Sequence, residues 1–272
     1  MDAPSRTALG VALLRALHRI VDDEPWVIDD PVSTALFGEA ARQRLERDRA
    51  WAGDPARVAL RAHVLVRSAF AEERLRGAVA RGVAQVVILG AGYDTFAYRQ
   101  PAGMDAVRVF EVDAPPSQER KRALLANARR SIPANVTFAP IDFERSSLHE
   151  GLAASGFDRT QPAFFSWLGV MMYLSRDAAR SVLRYVASLP PPTEIAFTFS
   201  TPDASADVAR RVAELGEPIR TKVTSDELAA IARDAGFSGV TVVSQEEASR
   251  YLGTRRDALR QPPREFMACA RV

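Results

Sequence analysis

From residue 85 onward the chain alternates short apolar runs with longer segments of helical periodicity. Val86-Val87-Ile88-Leu89 stops at Gly90-Ala91-Gly92, and similar runs follow at Val107 to Val112, Val136 to Ala139, Ala163 to Leu168 and Ile195 to Phe199. Runs this short, without polar alternation, suit strands buried on both faces. Helical patterns fill most of the gaps, notably Ser117 to Arg130 and Arg176 to Leu189. The alternation predicts an α/β, Rossmann-like, mainly parallel sheet with helices on both faces. A helix-forming stretch (203 to 215), a helix at Ser225 to Ala235, a strand near Val240 to Val243 and a last strand at Glu265 to Val272 complete the pattern. Ser225-Asp226-Glu227-Leu228 is a good helix start and Ala235-Gly236-Phe237 a good stop.

Residues 1–80 have a different texture. Leu9, Leu13, Ala16, Leu17 and Ile20 fall on one helical face, and Val58, Ala62, Leu65, Val66, Ala69 and Phe70 on another. Asp22-Asp23-Glu24-Pro25 and Asp29-Asp30-Pro31 break the helices. This region is expected to be a helical cap on the same globular unit as the core at 81–272. Within that core, residues 201–224 form an insertion in which Val208, Val212 and Leu215 share a helical face, while Asp207, Arg210, Arg211 and Glu214 take the others.

Composition narrows the function classes. Of 272 residues 47% are hydrophobic and 26% charged, with 36 basic and 34 acidic side chains, values of an ordinary globular protein large enough for a sizeable core. Only Lys121 and Lys222 are lysines, and the arginines are interleaved with acids, so the clustering of a nucleic-acid surface is missing. No run approaches the ~20 apolar residues of a membrane helix. Asp2 and Arg15 spoil a secretory-signal reading of the start. Cys269 is the sole cysteine, which excludes an intrachain disulfide and a cysteine-based zinc site and suits a cytoplasmic setting; no metal site is expected.

In a parallel sheet the ligand sits beyond the carboxyl ends of the strands, so the glycine turn after the first buried strand is the place to look. Gly90 and Gly92 allow a sharp turn and a close ligand approach. A dinucleotide fingerprint needs a third small residue where Thr95 stands, after Tyr93 and Asp94, so a pyrophosphate is disfavoured. An acid closes each of the next two strands. Asp113, in Glu111-Val112-Asp113, can accept hydrogen bonds from a ribose diol. Asp142, in Pro140-Ile141-Asp142-Phe143, suits an adenine amine, with Phe143 beside its face. Glu111 has a competing reading as an ion-paired core acid. A glycine turn and two strand-tip acids describe an adenosine site without phosphate, which points to S-adenosylmethionine.

The chain resembles the leucine carboxyl methyltransferase-like family of class I S-adenosylmethionine-dependent methyltransferases, particularly its bacterial branch with small-molecule relatives. The likeness rests on Val86 to Thr95, Phe110-Glu111-Val112-Asp113-Ala114-Pro115, Phe164 to Leu174 and the Asp29-Asp30-Pro31 turn. It implies seven strands with the last antiparallel, and cofactor contacts at Arg67, Gly90, Ala91, Gly92, Asp94, Asp113, Asp142, Phe143, Trp167 and Leu168. Arg67 would pair with the methionine carboxylate, which a planar guanidinium suits. Where relatives often carry an acid facing the methionine amine, this chain has Leu168, leaving Ser166 or backbone carbonyls near Gly90 for that role. The 201–224 insertion would overhang the pocket as a lid.

Methyl transfer from a sulfonium needs a nucleophile held in line and water excluded. No catalytic base stands out: His149 reads as a surface residue, and Tyr173 as a pocket-lining or core side chain. The expected activity is O-methylation of a carboxylate or acidic hydroxyl on a small molecule, without nucleic-acid or membrane partners. A non-catalytic cofactor-binding protein and a nicotinamide oxidoreductase are the competing readings.

Overall fold

A computed structural model describes residues 4–203, 206–255, 257, 259 and 266–272. The cap consists of α1 (Arg6–Val21), α2 (Pro31–Leu36), α3 (Gly38–Arg47), α4 (Arg49–Ala52) and α5 (Pro55–Ala80). Side chains ahead of the helices supply caps: Ser5, Asp30, Asp48 and Asp54 each accept a backbone N–H from the first turn that follows, and Pro31 and Pro55 open their helices.

The core runs β1 (Gln85–Leu89), β2 (Arg108–Asp113), α6 (Pro115–Asn127), β3 (Val136–Pro140), α7 (Leu148–Ala154), β4 (Phe164–Trp167), α8 (Arg176–Ala187), β5 (Glu194–Thr198), α9 (Ala206–Glu214), α10 (Ser225–Ala235), β6 (Gly239–Val242), α11 (Gln245–Ser249) and β7 (Met267–Arg271). The seven strands lie in the order β3-β2-β1-β4-β5-β7-β6. β7 is antiparallel to β5 and to β6, and the other pairings are parallel. The expected seven-stranded sheet with an antiparallel last strand is therefore present. Glu265, the start expected for that strand, lies outside the described residues. So do residues 204 and 205 of the insertion.

Alternate side chains of the central strands feed two cores. Val87 and Leu89 of β1, with Phe165 and Trp167 of β4, pack under α8 and α10, whereas Val86, Ile88 and Phe164 pack under α5. Burial on both faces accounts for the continuous apolar runs. The helix α10 spans Ser225–Ala235, as the sequence pattern predicts, with Thr224 as the cap ahead of it. Thr224 accepts the Glu227 amide while the Glu227 carboxylate accepts the Thr224 amide, and Gly236 ends the helix in the left-handed region at φ 107°. No helix among the described residues is long and apolar enough to cross a membrane.

Candidate functional site

The chain reverses its winding between β1 and β4, and the crevice beyond their carboxyl ends is the expected ligand position. Gly90 and Gly92 both take positive φ, 65° and 44°. Neither has room for a side chain: a Cβ on Gly90 would lie 2.3 Å from Val170 Cγ2, and one on Gly92 would lie 3.0 Å from Ala8 Cβ. The Ala91 amide, donating to the Val112 carbonyl at 2.8 Å, ties the turn to β2.

Asp113 ends β2 beside this turn. Its Oδ2 accepts the Gly92 amide at 2.6 Å and its Oδ1 the Ala114 amide at 2.7 Å. Burial pushes its carboxyl above the usual carboxylate range, with the two amides opposing that rise. A carboxylate oxygen has two acceptor directions, so one backbone bond on each oxygen leaves capacity for a vicinal diol. Glu111, two residues back, is a core acid instead, paired at 2.7 Å with buried Lys121 and accepting from the Tyr98 hydroxyl. At the tip of β3, Asp142 Oδ1 accepts the Glu144 amide at 3.0 Å, and Phe143 packs on the core edge.

Arg67 is 8% exposed, far from a solvated helix arginine. Its guanidinium lies against the chain after β4, where a Cβ on Gly169 would stand 2.7 and 2.9 Å from its two terminal nitrogens. Arg67, Thr7 and Glu217 all lie close enough to the Tyr173 hydroxyl to influence its ionisation, and burial is the main reason that its pKa rises. Leu168 and Ser166 line a cavity of about 20 Å³ with Ser68, Glu72 and Asp94, space on the scale of one water.

Two residues expected at the cofactor have their side chains engaged elsewhere. The Trp167 ring is fully buried and packs on Phe197, on the α8 face of the sheet. Asp94 receives Arg15 Nη1 at 2.7 Å and the Phe96 amide at 2.8 Å, so its carboxylate braces the loop after the glycine turn. Arg15 also donates to Asp30 at 3.1 Å, and the Thr95 hydroxyl donates to the same Asp30 oxygen at 2.5 Å. Arg99 joins the cluster by donating to the Thr95 hydroxyl at 3.3 Å, and it also makes a two-pronged pair with Glu72. Sequence reasoning missed this network. The available signal was a basic residue, Arg15, inside the apolar face of the first helix.

His18 and His149 are engaged away from the site. His18 is buried, its Nε2 accepting the Val27 amide and its Nδ1 consequently donating to Asp22 at 2.9 Å, and His149 is exposed beside Tyr185. The 201–224 insertion carries α9, no residue of which is buried, and Val208 is 43% exposed.

Comparison with known proteins gives the family and the fold. The sequence pattern of the leucine carboxyl methyltransferase family matches residues 8–187. YktD of Bacillus subtilis, named among the S-adenosyl-L-methionine-dependent methyltransferases, is 28% identical over 94% of this chain and 93% of its own length. A Mycobacterium bovis protein of similar name is 34% identical over 70% of this chain, and the match spans 63% of that protein, less than two thirds of it. Among solved structures, a DUF574 family protein from Streptomyces avermitilis shares the fold with a TM-score of 0.55 at 19% identity, over 98% of this chain and 97% of that one. The glycine turn, the strand-tip acids and the cap that meets them all fall within the matched stretch, and the chain belongs to the leucine carboxyl methyltransferase family.

Proposed function

We propose that the protein transfers a methyl group from S-adenosylmethionine to an oxygen of a small molecule, either a carboxylate or an acidic hydroxyl. The observation that carries this reading is Asp113: a half-buried carboxylate bonded to the glycine-turn amide, with one backbone bond on each oxygen. S-adenosylmethionine supplies an electrophilic methyl group on a sulfonium. The chain's own contribution is to position and to exclude water. Asp113 would orient the ribose hydroxyls, Asp142 and the Phe143 main chain the adenine, and Arg67 the methionine carboxylate. Ser166, which lines the same cavity as Leu168, would offer its hydroxyl to the methionine amine. Tyr173, whose raised pKa keeps its hydroxyl protonated near neutrality, can donate a hydrogen bond to an acceptor but is a poor base there.

With His18 and His149 engaged elsewhere, an acceptor already ionised near neutrality fits best, because it requires no proton removal. Transfer of labelled methyl to a panel of small carboxylic acids and phenols tests the reading, with calorimetric titration of S-adenosylmethionine and NADH alongside. The expected result is binding of the first cofactor only, and a methylation rate nearly flat from about pH 6.5 to 9. A steep rise through that window, abolished by replacing one titratable side chain, would reveal a general base and overturn the acceptor assignment.

A further inference from the structure

The first turn of α1 lies over the proposed cofactor turn and is held there by one distant carboxylate. Ala8 Cβ stands 3.0 Å from where a Gly92 Cβ would be, and Asp113 Oδ2 lies 3.9 Å from the same point. A ligand that reaches Asp113 therefore shares this space with the start of α1. That start is fixed by Glu217, which follows α9 by three residues. Its carboxylate accepts the Ser5 hydroxyl at 2.9 Å, the Arg6 amide at 2.7 Å, the Thr7 amide at 3.2 Å and the Thr7 hydroxyl. The acceptor of these first-turn donors comes from more than 200 residues away, and its negative charge faces the positive end of the helix.

The strap that carries Glu217 is itself anchored. The Arg220 and Thr221 amides donate to the Met172 carbonyl at 2.8 and 3.1 Å, and the Thr221 hydroxyl donates to the Leu174 carbonyl at 2.7 Å. Arg220 also pairs at 2.8 Å with Glu144, which follows the strand-tip Asp142. One strap thus joins α9, the Tyr173 turn, the loop after β3 and the roof over Gly92.

We infer that Glu217 is a positioning residue that clamps the first turn of α1 over the glycine turn and thereby controls how fast the cofactor and its demethylated product enter and leave. It acts through α1 and touches no reacting atom. The inference rests on the cofactor assignment made above. Glu217 is partly exposed, so its replacement leaves the core intact.

The test measures dissociation of S-adenosylhomocysteine by stopped flow, together with steady-state KM for S-adenosylmethionine and kcat, in wild type, Glu217→Ala, Glu217→Gln and Thr7→Val. Loss of a charged acceptor is expected to raise the product dissociation rate roughly tenfold or more in Glu217→Ala. The glutamine variant, which keeps one acceptor oxygen, should fall between, and Thr7→Val, which removes one donor, should shift the rate in the same direction by less. KM for the cofactor should rise while kcat is kept or increased, a split that a general loss of stability would not produce. Failure of wild type to bind either nucleoside would overturn the cofactor reading itself. Normal wild-type binding with unchanged dissociation in Glu217→Ala would overturn the clamp alone.

Discussion

Asp113 is half-buried beside the glycine turn, and its backbone bonds leave each oxygen able to accept once more. Replacing it with alanine should weaken S-adenosylmethionine binding by about 1.5–3 kcal/mol, the range for a hydrogen bond to a charged group, with the folded circular dichroism spectrum retained. Calorimetric titration reads the change. The raised pKa gives a direction for pH dependence too. Its ionised form is the acceptor, so affinity should decline on acidification starting above the ordinary carboxylate range near 4, and Asp113→Asn should abolish that part of the decline. The identity of this residue was legible because a strand ending in an acid after a glycine turn is a local pattern. Its bond to the Gly92 amide was not, since that depends on how two strand ends meet.

At the scale of elements, the cap is fastened to the core by charge as well as by apolar contact. Arg15 from α1, Asp30 ahead of α2, and Asp94 and Thr95 beyond β1 meet in one buried cluster. Burial would raise the Asp30 pKa, but the neighbouring guanidinium groups of Arg15 and Arg99 bring it down to about 2. A carboxyl depressed from about 3.9 in the unfolded chain contributes stability that is complete above about pH 4 and lost as pH falls through about 2. The contribution at neutrality is about 2–3 kcal/mol. Urea unfolding of wild type and Asp30→Asn should differ at pH 5, and the gap should close between pH 4 and 2. Helix periodicity and the Asp-Pro turn made the separate elements legible in the sequence. The fastening was hidden, because Arg15 and Asp94 are 79 positions apart and a buried arginine looks, residue by residue, like the many solvated ones.

Across the whole molecule, the sheet was the most legible feature, since strands buried on both faces must be apolar throughout and therefore stand out from amphipathic helices. An exception sits at its amino-terminal edge. Glu194 opens β5 fully buried and is held by Arg74 at 2.5 Å, Arg81 at 2.8 Å and Arg271 at 3.3 Å, joining α5 and β7 on the side away from the glycine turn. Glu194→Gln should lower stability by about 1–3 kcal/mol and leave cofactor affinity unchanged, as thermal melting and calorimetry on one preparation would show. The antiparallel β7 has a different kind of consequence. It lies between β5 and β6, and β6 has no other strand neighbour among the described residues. Glu194 and Arg271, which face each other across that pairing, are 77 positions apart. Closing so long a loop before any ladder bond can form is slow. Gly239 of β6 pairs with the same Arg271 across a much shorter span, so β6 and β7 can join each other before the pair docks on β5, and the edge farthest from the ligand crevice is closed by that one long-range step.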